Sequence, residues 1–242
     1  MKAGLLAPAL GLMIMAGVAE SAELSSGGDL IRAMYQRYAG KWYANFRLEQ
    51  KVRVFKDGKP DREEIWTEII QLPGKVRSNI GDPAAGNSEI YVTDTNYLFR
   101  NRVLVRQAKV VHTVLLFGFD VYCQPPERTI ARAQEAHIDL GPIYETTWHS
   151  RPVYVVGARK DDLGSNQFWI DKEHLYCVRL IRRSGQDLLE VELNKYERLG
   201  GGWIATELVF KRNGQVSTTE EYLSYQILDR IAPDTFNVRE LK

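Results

Sequence analysis

The sequence predicts an α+β protein that is mainly antiparallel β: a curved, incomplete barrel (a half-barrel) of about ten or more strands, covered on its concave face by two or three helices. Three observations predict it. Over residues 47–54, Arg47, Glu49, Lys51 and Arg53 alternate with Leu48, Gln50, Val52 and Val54. Successive side chains of a strand point to opposite faces, so one face is charged and the other mostly apolar. The same period returns over 188–196 and 203–212. Tight-turn pairs, Asp57-Gly58, Ser184-Gly185 and Asn213-Gly214, separate such runs, which joins neighbouring strands by hairpins instead of helical crossovers. Helical segments are few, and an apolar cavity is expected wherever their cover is incomplete.

The elements follow in order. Met1-Lys2, an apolar run from Leu5 to Val18 and the small residues around Ala19 read as a signal peptide over 1–22, with cleavage between 19 and 22. The run is shorter than the roughly 20 residues that span a bilayer. A cysteine-free cleavage region argues against a lipid-modified N-terminus. The expected mature chain is one exported, periplasmic domain over 23–242, long enough for a sizeable core. Ser25 and Ser26 are N-cap residues, Asp29 sits in a first turn, and Leu30, Ile31, Met34, Tyr35 and Tyr38 share one helical face that ends at Gly40. Strands are expected over 42–55, 64–72, 75–80, 89–93, 96–100 and 103–108. The turn at 56–60, the break at Pro73-Gly74 and a flexible loop over 81–88 separate the first of them.

The middle differs. Residues 110–122 are apolar without alternation, Pro125-Pro126 follows, and Ile130, Ala133 and Ala136 fall on one side of a helical segment. This stretch reads as a buried core segment or an apolar lid. Strands resume over 143–150, 152–159, 167–171, 175–183, 188–198, 202–211 and 217–228, and Pro233–Phe236 forms a terminal turn.

Two cysteines, Cys123 and Cys177, have two readings: a disulfide closing a loop of about 50 residues, which chain entropy would make worth about 4 kcal/mol, or two buried free thiols. Spacing alone leaves both open.

Reaction chemistry finds little support. His112, His137, His149 and His174 are dispersed, with neither zinc-ligand spacing nor a nucleophile elbow. Gly200-Gly201-Gly202 lacks the Lys-Ser/Thr of a phosphate loop. No catalytic residue, metal or cofactor is expected. Lys and Arg total 32 against 31 Asp and Glu, a formal charge of +1, so nucleic acid is not an expected partner. Arg179, Arg182, Arg183, Lys195 and Lys211 read as a sheet face balanced by Glu190, Glu192 and Glu207.

The order of elements resembles a known family. An amphipathic helix precedes a strand with Phe46 and Gln50, then Leu72-Pro73-Gly74-Lys75-Val76-Arg77, Thr93-Asp94-Thr95-Asn96-Tyr97-Leu98-Phe99, Phe168-Trp169-Ile170-Asp171, Trp203-Ile204-Ala205-Thr206 and Pro233-Asp234-Thr235-Phe236-Asn237-Val238. This pattern is similar to that of the outer-membrane lipoprotein carrier (LolA/LolB-like) superfamily. The resemblance implies a half-barrel lidded by helices, whose interior receives lipid or the acyl chains of lipoproteins on their way to the outer membrane. An inner-membrane delivery or signalling protein is the further implied partner, and a monomer is expected. The apolar face of these strands gives the candidate lining: Leu48, Val52, Ile70, Leu72, Val92, Leu98, Val103, Val105, Val155, Ile170, Val178, Leu180, Leu189, Val191, Leu208 and Phe210. The implied lid is Leu30, Met34, Leu115, Leu116, Phe117 and Phe119. The best-known carrier holds its lid shut with an arginine just before the proline of the strand break; here that position is Leu72. An envelope-stress sensor of the same fold is the alternative, and a hydrolytic enzyme is a weaker one.

Overall fold

The computed structural model describes residues 24–238; the predicted signal peptide lies outside them. Helix α1 (Gly27–Tyr38) starts where the caps predict: the Asp29 amide donates to Ser26 Oγ at 3.2 Å. Both serine hydroxyls donate to Asp29 Oδ2 at 2.7 and 2.8 Å, which holds its carboxyl below the usual range. Gly40 ends the segment with φ +71°, a conformation other residues adopt only at a cost.

Thirteen strands follow in one sheet. They are β1 (Asn45–Lys56), β2 (Lys59–Gln71), β3 (Lys75–Ile80), β4 (Ser88–Val92), β5 (Thr95–Arg100), β6 (Val103–Lys109), β7 (Ile143–Trp148), β8 (Arg151–Val156), β9 (Gln167–Asp171), β10 (Cys177–Ser184), β11 (Asp187–Leu199), β12 (Gly202–Arg212) and β13 (Gln215–Ile227). Every pairing is antiparallel, in the order β6-β5-β4-β3-β2-β1-β13-β12-β11-β10-β9-β8-β7. The first and last strands pair at the centre, and the two edges are consecutive in sequence. The chain between them must therefore cross from one edge to the other. That crossing holds the two remaining helices, α2 (Thr113–Gly118) and α3 (Pro126–Glu135), with a 3-10 turn (Asp120–Tyr122) between them.

The crossing shows how far the sheet curls. The His112 ring, at the N-cap of α2, lies 5.3 Å from the Tyr91 ring of β4, while α2 itself packs on β10. In a flat sheet seven strand steps would separate β4 from β10 by about 34 Å. A six-residue helix is about 9 Å long, so only a curled sheet lets α2 touch both.

Curling gives the sheet an inner and an outer apolar face. The inner core joins Leu30, Ile31 and Met34 of α1 to Phe46, Phe117, Tyr122, Phe168, Ile170 and Leu180. The outer cluster is Val153, Val155, Trp169, Tyr176 and Val178, with Trp148, Tyr196 and Trp203 against it. Arg179 lies over Trp148 and Trp169, 4.1 and 4.6 Å from the ring centres, and its Nε donates to Glu190 at 2.6 Å. Arg179 is balanced by Glu190 as expected, but the pair is buried against the outer aromatic rings and is not on a solvated face.

Two local expectations need correction. Trp42 precedes β1 instead of opening it, and stacks on Tyr122 at 3.8 Å. Strand β2 begins at Lys59, because Pro60 pairs opposite Phe55 at a bulge and the turn shrinks to Asp57-Gly58.

Candidate functional site

Beneath residues 110–119 the inner face is hollow. The cavity holds about 500 Å³, within the range of about 300–1,000 Å³ that small-molecule sites occupy. Its floor is Phe46 and Leu48 of β1, Trp66 and Ile70 of β2, Val76 of β3, Leu189 and Val191 of β11, Leu208 and Phe210 of β12, and Tyr222 of β13. Its roof is Val110, Val111, Val114, Leu115 and Phe119. The roof residues are mostly β-branched or short, and they bridge the hollow without filling it.

The predicted residues divide. Leu48, Ile70, Leu189, Val191, Leu208 and Phe210 line the cavity, as do Leu115 and Phe119 from the expected lid. Val52, Leu72, Ile170 and Leu180 are buried but lie outside the lining, as do Leu30, Met34, Leu116 and Phe117; these fill the core. Val92 and Leu98 are half-buried outside the lining. Four assignments fail outright. Val103 and Val105 are 63% and 54% exposed on β6, an edge strand with all seven residues exposed. Val155 pairs with the outward Trp169 and belongs to the outer cluster. Val178 joins it because a bulge between Cys177 and Arg179 shifts the alternation by one residue relative to Leu180.

The disulfide reading also fails: Cys123 and Cys177 are free. Cys123 Sγ lies 3.6 Å from the Tyr43 carbonyl and Cys177 Sγ 3.7 Å from the Arg179 carbonyl. Burial pushes both thiols up to about 12, which keeps them protonated and unreactive.

The sequence reading missed a polar wall. Glu68 (β2), Ser78 (β3), Glu89 (β4), Asn96 (β5) and Glu220 (β13) all face the cavity. Ser78 Oγ donates to Glu68 Oε1 at 2.5 Å, and Gln50 Nε2 donates to the same oxygen at 3.3 Å. Burial pushes the Glu68 carboxyl up to about 7, against the opposing pull of Ser78. Glu220 is raised well above its ordinary range by burial, then by the charges of Glu68 and Glu89. His112 also lines the cavity. Its Nδ1 accepts the Leu115 amide at 3.2 Å, and burial lowers its basicity, so the ring is neutral with its proton on Nε2. The signal for this wall was present: Trp66, Glu68 and Ile70 share one parity of β2, but a charge within an apolar face reads as a defect.

The roof has its own fastening. The Gly74 amide, in the break between β2 and β3, donates to Asp120 Oδ1 at 2.9 Å in the turn after α2. Burial raises the Asp120 carboxyl to about 7. At Leu72, where the carrier pattern has its arginine, the side chain is simply buried. The tie between strand break and roof comes from the opposite partner.

His137, His149 and His174 gather no pocket with acids. His137 and His149 sit in turns at φ +56° and +48°. His174 accepts or donates at 3.1 Å to Asp171 and stacks on Tyr176. Among the described residues no group of three His, Cys, Asp or Glu is placed to hold a metal, and no helix is long and apolar enough to cross a membrane.

No protein-family model matches the sequence, and no curated protein matches it. Solved structures do. One is a putative outer membrane lipoprotein-sorting protein domain from Vibrio parahaemolyticus, at TM-score 0.60 and 13% identity, covering 89% of this chain and 97% of that one. Another is a DUF1329 family protein from Desulfovibrio piger, at TM-score 0.58 and 14% identity, covering 89% and 98%. A LolA superfamily protein from Nitrosomonas europaea aligns at TM-score 0.49 and 13% identity over 84% and 95%. The first two share the fold over most of both chains. At such low identity the likeness is one of fold.

Proposed function

We propose that the protein binds an acyl chain, of a lipid or a lipoprotein, in the hollow beneath residues 110–119, and serves lipoprotein sorting toward the outer membrane from the periplasm. The observation that supports it is the cavity of about 500 Å³, floored by six strands and roofed by a separate apolar segment. A folded chain rarely leaves such a volume empty unless something else fills it, because interiors are close-packed. Each CH₂ buried gains about 0.8 kcal/mol, so a chain of sixteen carbons contributes on the order of 10 kcal/mol before ordering costs. The signal-peptide reading supports the compartment, and the fold shared with a lipoprotein-sorting domain supports the cargo class. The roof is tied to the strand break by the Gly74–Asp120 hydrogen bond and anchored at its start by Val110, which bonds Asp94 and Tyr91, so it can swing open at the break without unfolding the sheet.

Native mass spectrometry of protein isolated from the periplasm, followed by titration with a fluorescent fatty acid, tests this. Co-purified lipid and saturable one-to-one uptake are expected. A lipid-free protein that takes up no fatty acid would overturn the reading.

A further inference from the structure

The polar wall of the cavity is short of donors. Ser78 and the amide nitrogens of Gln50 and Asn96 already donate to Glu68, Glu68 and Glu89. The amide oxygens of Gln50 and Asn96 are buried without a partner. Gln50 is 1% exposed and lies on the cavity face: its cross-strand neighbours Trp66 and Tyr222 both line the hollow. Two orphan acceptors therefore stand beside three carboxyl groups. An unpartnered buried acceptor bears its desolvation cost without return, so two at one wall call for a donor from outside the chain.

None of the facing groups donates to either oxygen. His112 is neutral and offers one ring N–H, and Tyr222 offers one hydroxyl held firmly protonated by burial. The cations that reach the cavity are Arg182, Lys211 and Arg212, on β10 and β12. Lys211 is bound to Glu192 and Arg212 to Asp187, while Arg182 is exposed to solvent and its charge acts on His112. The charge that acts on Glu68 is that of Glu89, and those that act on Glu220 are those of Glu68 and Glu89, all negative.

We propose that the cavity is selective for a chain bearing a primary ammonium, seated against Glu68, Glu220 and the orphan oxygen of Gln50. This rests on the acyl-chain reading above and narrows it to an aminated lipid. An ammonium brings three N–H donors and no acceptor, the complement of this wall. Its charge-assisted bonds to carboxylates offset the cost of drying it. A carboxylate head would add a fourth acidic group to a site that already resists ionisation, and an alcohol would bring one donor for several acceptors. The carboxyl groups' upward shifts fit a site lacking its counter-charge.

The test compares hexadecylamine, hexadecanol and palmitate as displacers of a bound neutral fluorescent probe, using the whole mature protein at pH 8. The amine is expected to bind at least tenfold tighter than the alcohol, and palmitate weakest. Lysophosphatidylethanolamine tells whether the ammonium is accepted on a phospholipid head as well as on a bare chain; either amine passing the alcohol by tenfold supports the proposal. Glu68→Gln and Glu220→Gln should each bring amine and alcohol within about threefold, while probe binding persists. Equal binding of amine and alcohol by the unmodified protein would overturn the head-group proposal and leave the chain-binding reading standing. Failure of the probe and every amphiphile to bind would overturn both.

Discussion

One end of the concave face is filled and the other is hollow, although the same alternating strands floor both. At the filled end, α1 brings Leu30, Ile31 and Met34 to full burial. Trp42 stacks on Tyr122 at 3.8 Å, Phe117 on Phe168 at 4.2 Å, and Tyr38 meets Trp42 and Tyr122 edge-on at 4.9 and 5.3 Å. At the hollow end Phe119 meets the floor only at Phe46, ring centres 5.4 Å apart, and the rest of the cover is Val110, Val111, Val114 and Leu115, which leave the hollow open. The floor alone does not make a cavity; the volume of the covering side chains decides. Large rings from three elements close one end, and a short bridge leaves the other open.

The largest effect should separate the two ends by stability. Phe117→Ala removes a fully buried ring and should cost about 3–5 kcal/mol in chemical denaturation. Leu189→Ala trims a wall that already faces empty space, and should cost less than about 1 kcal/mol, since the cavity term is largely present beforehand. Equal costs would show that the hollow is packed in solution. The next effect reverses the contrast. Val191→Trp fills the hollow and should reduce fatty-acid uptake at least tenfold in fluorescence titration, with little change in stability; undiminished uptake would place the chain elsewhere.

The third effect is electrostatic. Glu68 at the hollow and Asp120 at the roof are both raised to about 7, chiefly by burial. Unfolded carboxyls titrate near 4, so between about pH 4 and 7 the folded protein holds protons that the unfolded chain has lost. Their contribution to stability is therefore present at low pH and lost as pH rises through 7. Thermal unfolding should give a higher Tm at pH 5 than at pH 8. Glu68→Gln and Asp120→Asn should each raise Tm at pH 8 by a few degrees and leave it nearly unchanged at pH 5. A Tm that is flat over this interval would mean that water hydrates both carboxyls.

The same contrast marks what was legible in the sequence. Alternation, turn pairs and caps are local, and they located α1 and most strands to within a few residues, while β2 begins five residues earlier than expected and α2 lies in a stretch without a local helical mark. Six of the predicted lining residues do line the cavity, because parity along a regular strand is legible. Val178 was lost to a bulge, which is set by pairing and leaves no local mark. The triple glycine read as a turn, and Gly200 is one at φ +55°. Gly202 has a different reason: a Cβ there would lie 2.5 Å from the Trp42 ring. Glu68 and Glu220 were passed over because a carboxyl on an apolar face has meaning only once its neighbours across three strands are known.

The smallest effect tests where the sheet ends. Val103 and Val105 were placed in the lining by parity alone, yet β6 pairs on one side only, with β5, and both residues stand in solvent. Val105→Thr keeps the branched Cβ that suits a strand and removes no buried area. It should change stability by less than about 0.5 kcal/mol and leave fatty-acid uptake unchanged. A cost above 1 kcal/mol would mean that β6 is covered in solution. The open edge would then have an occupant, and the concave face would be bounded by a surface other than the one the thirteen strands provide.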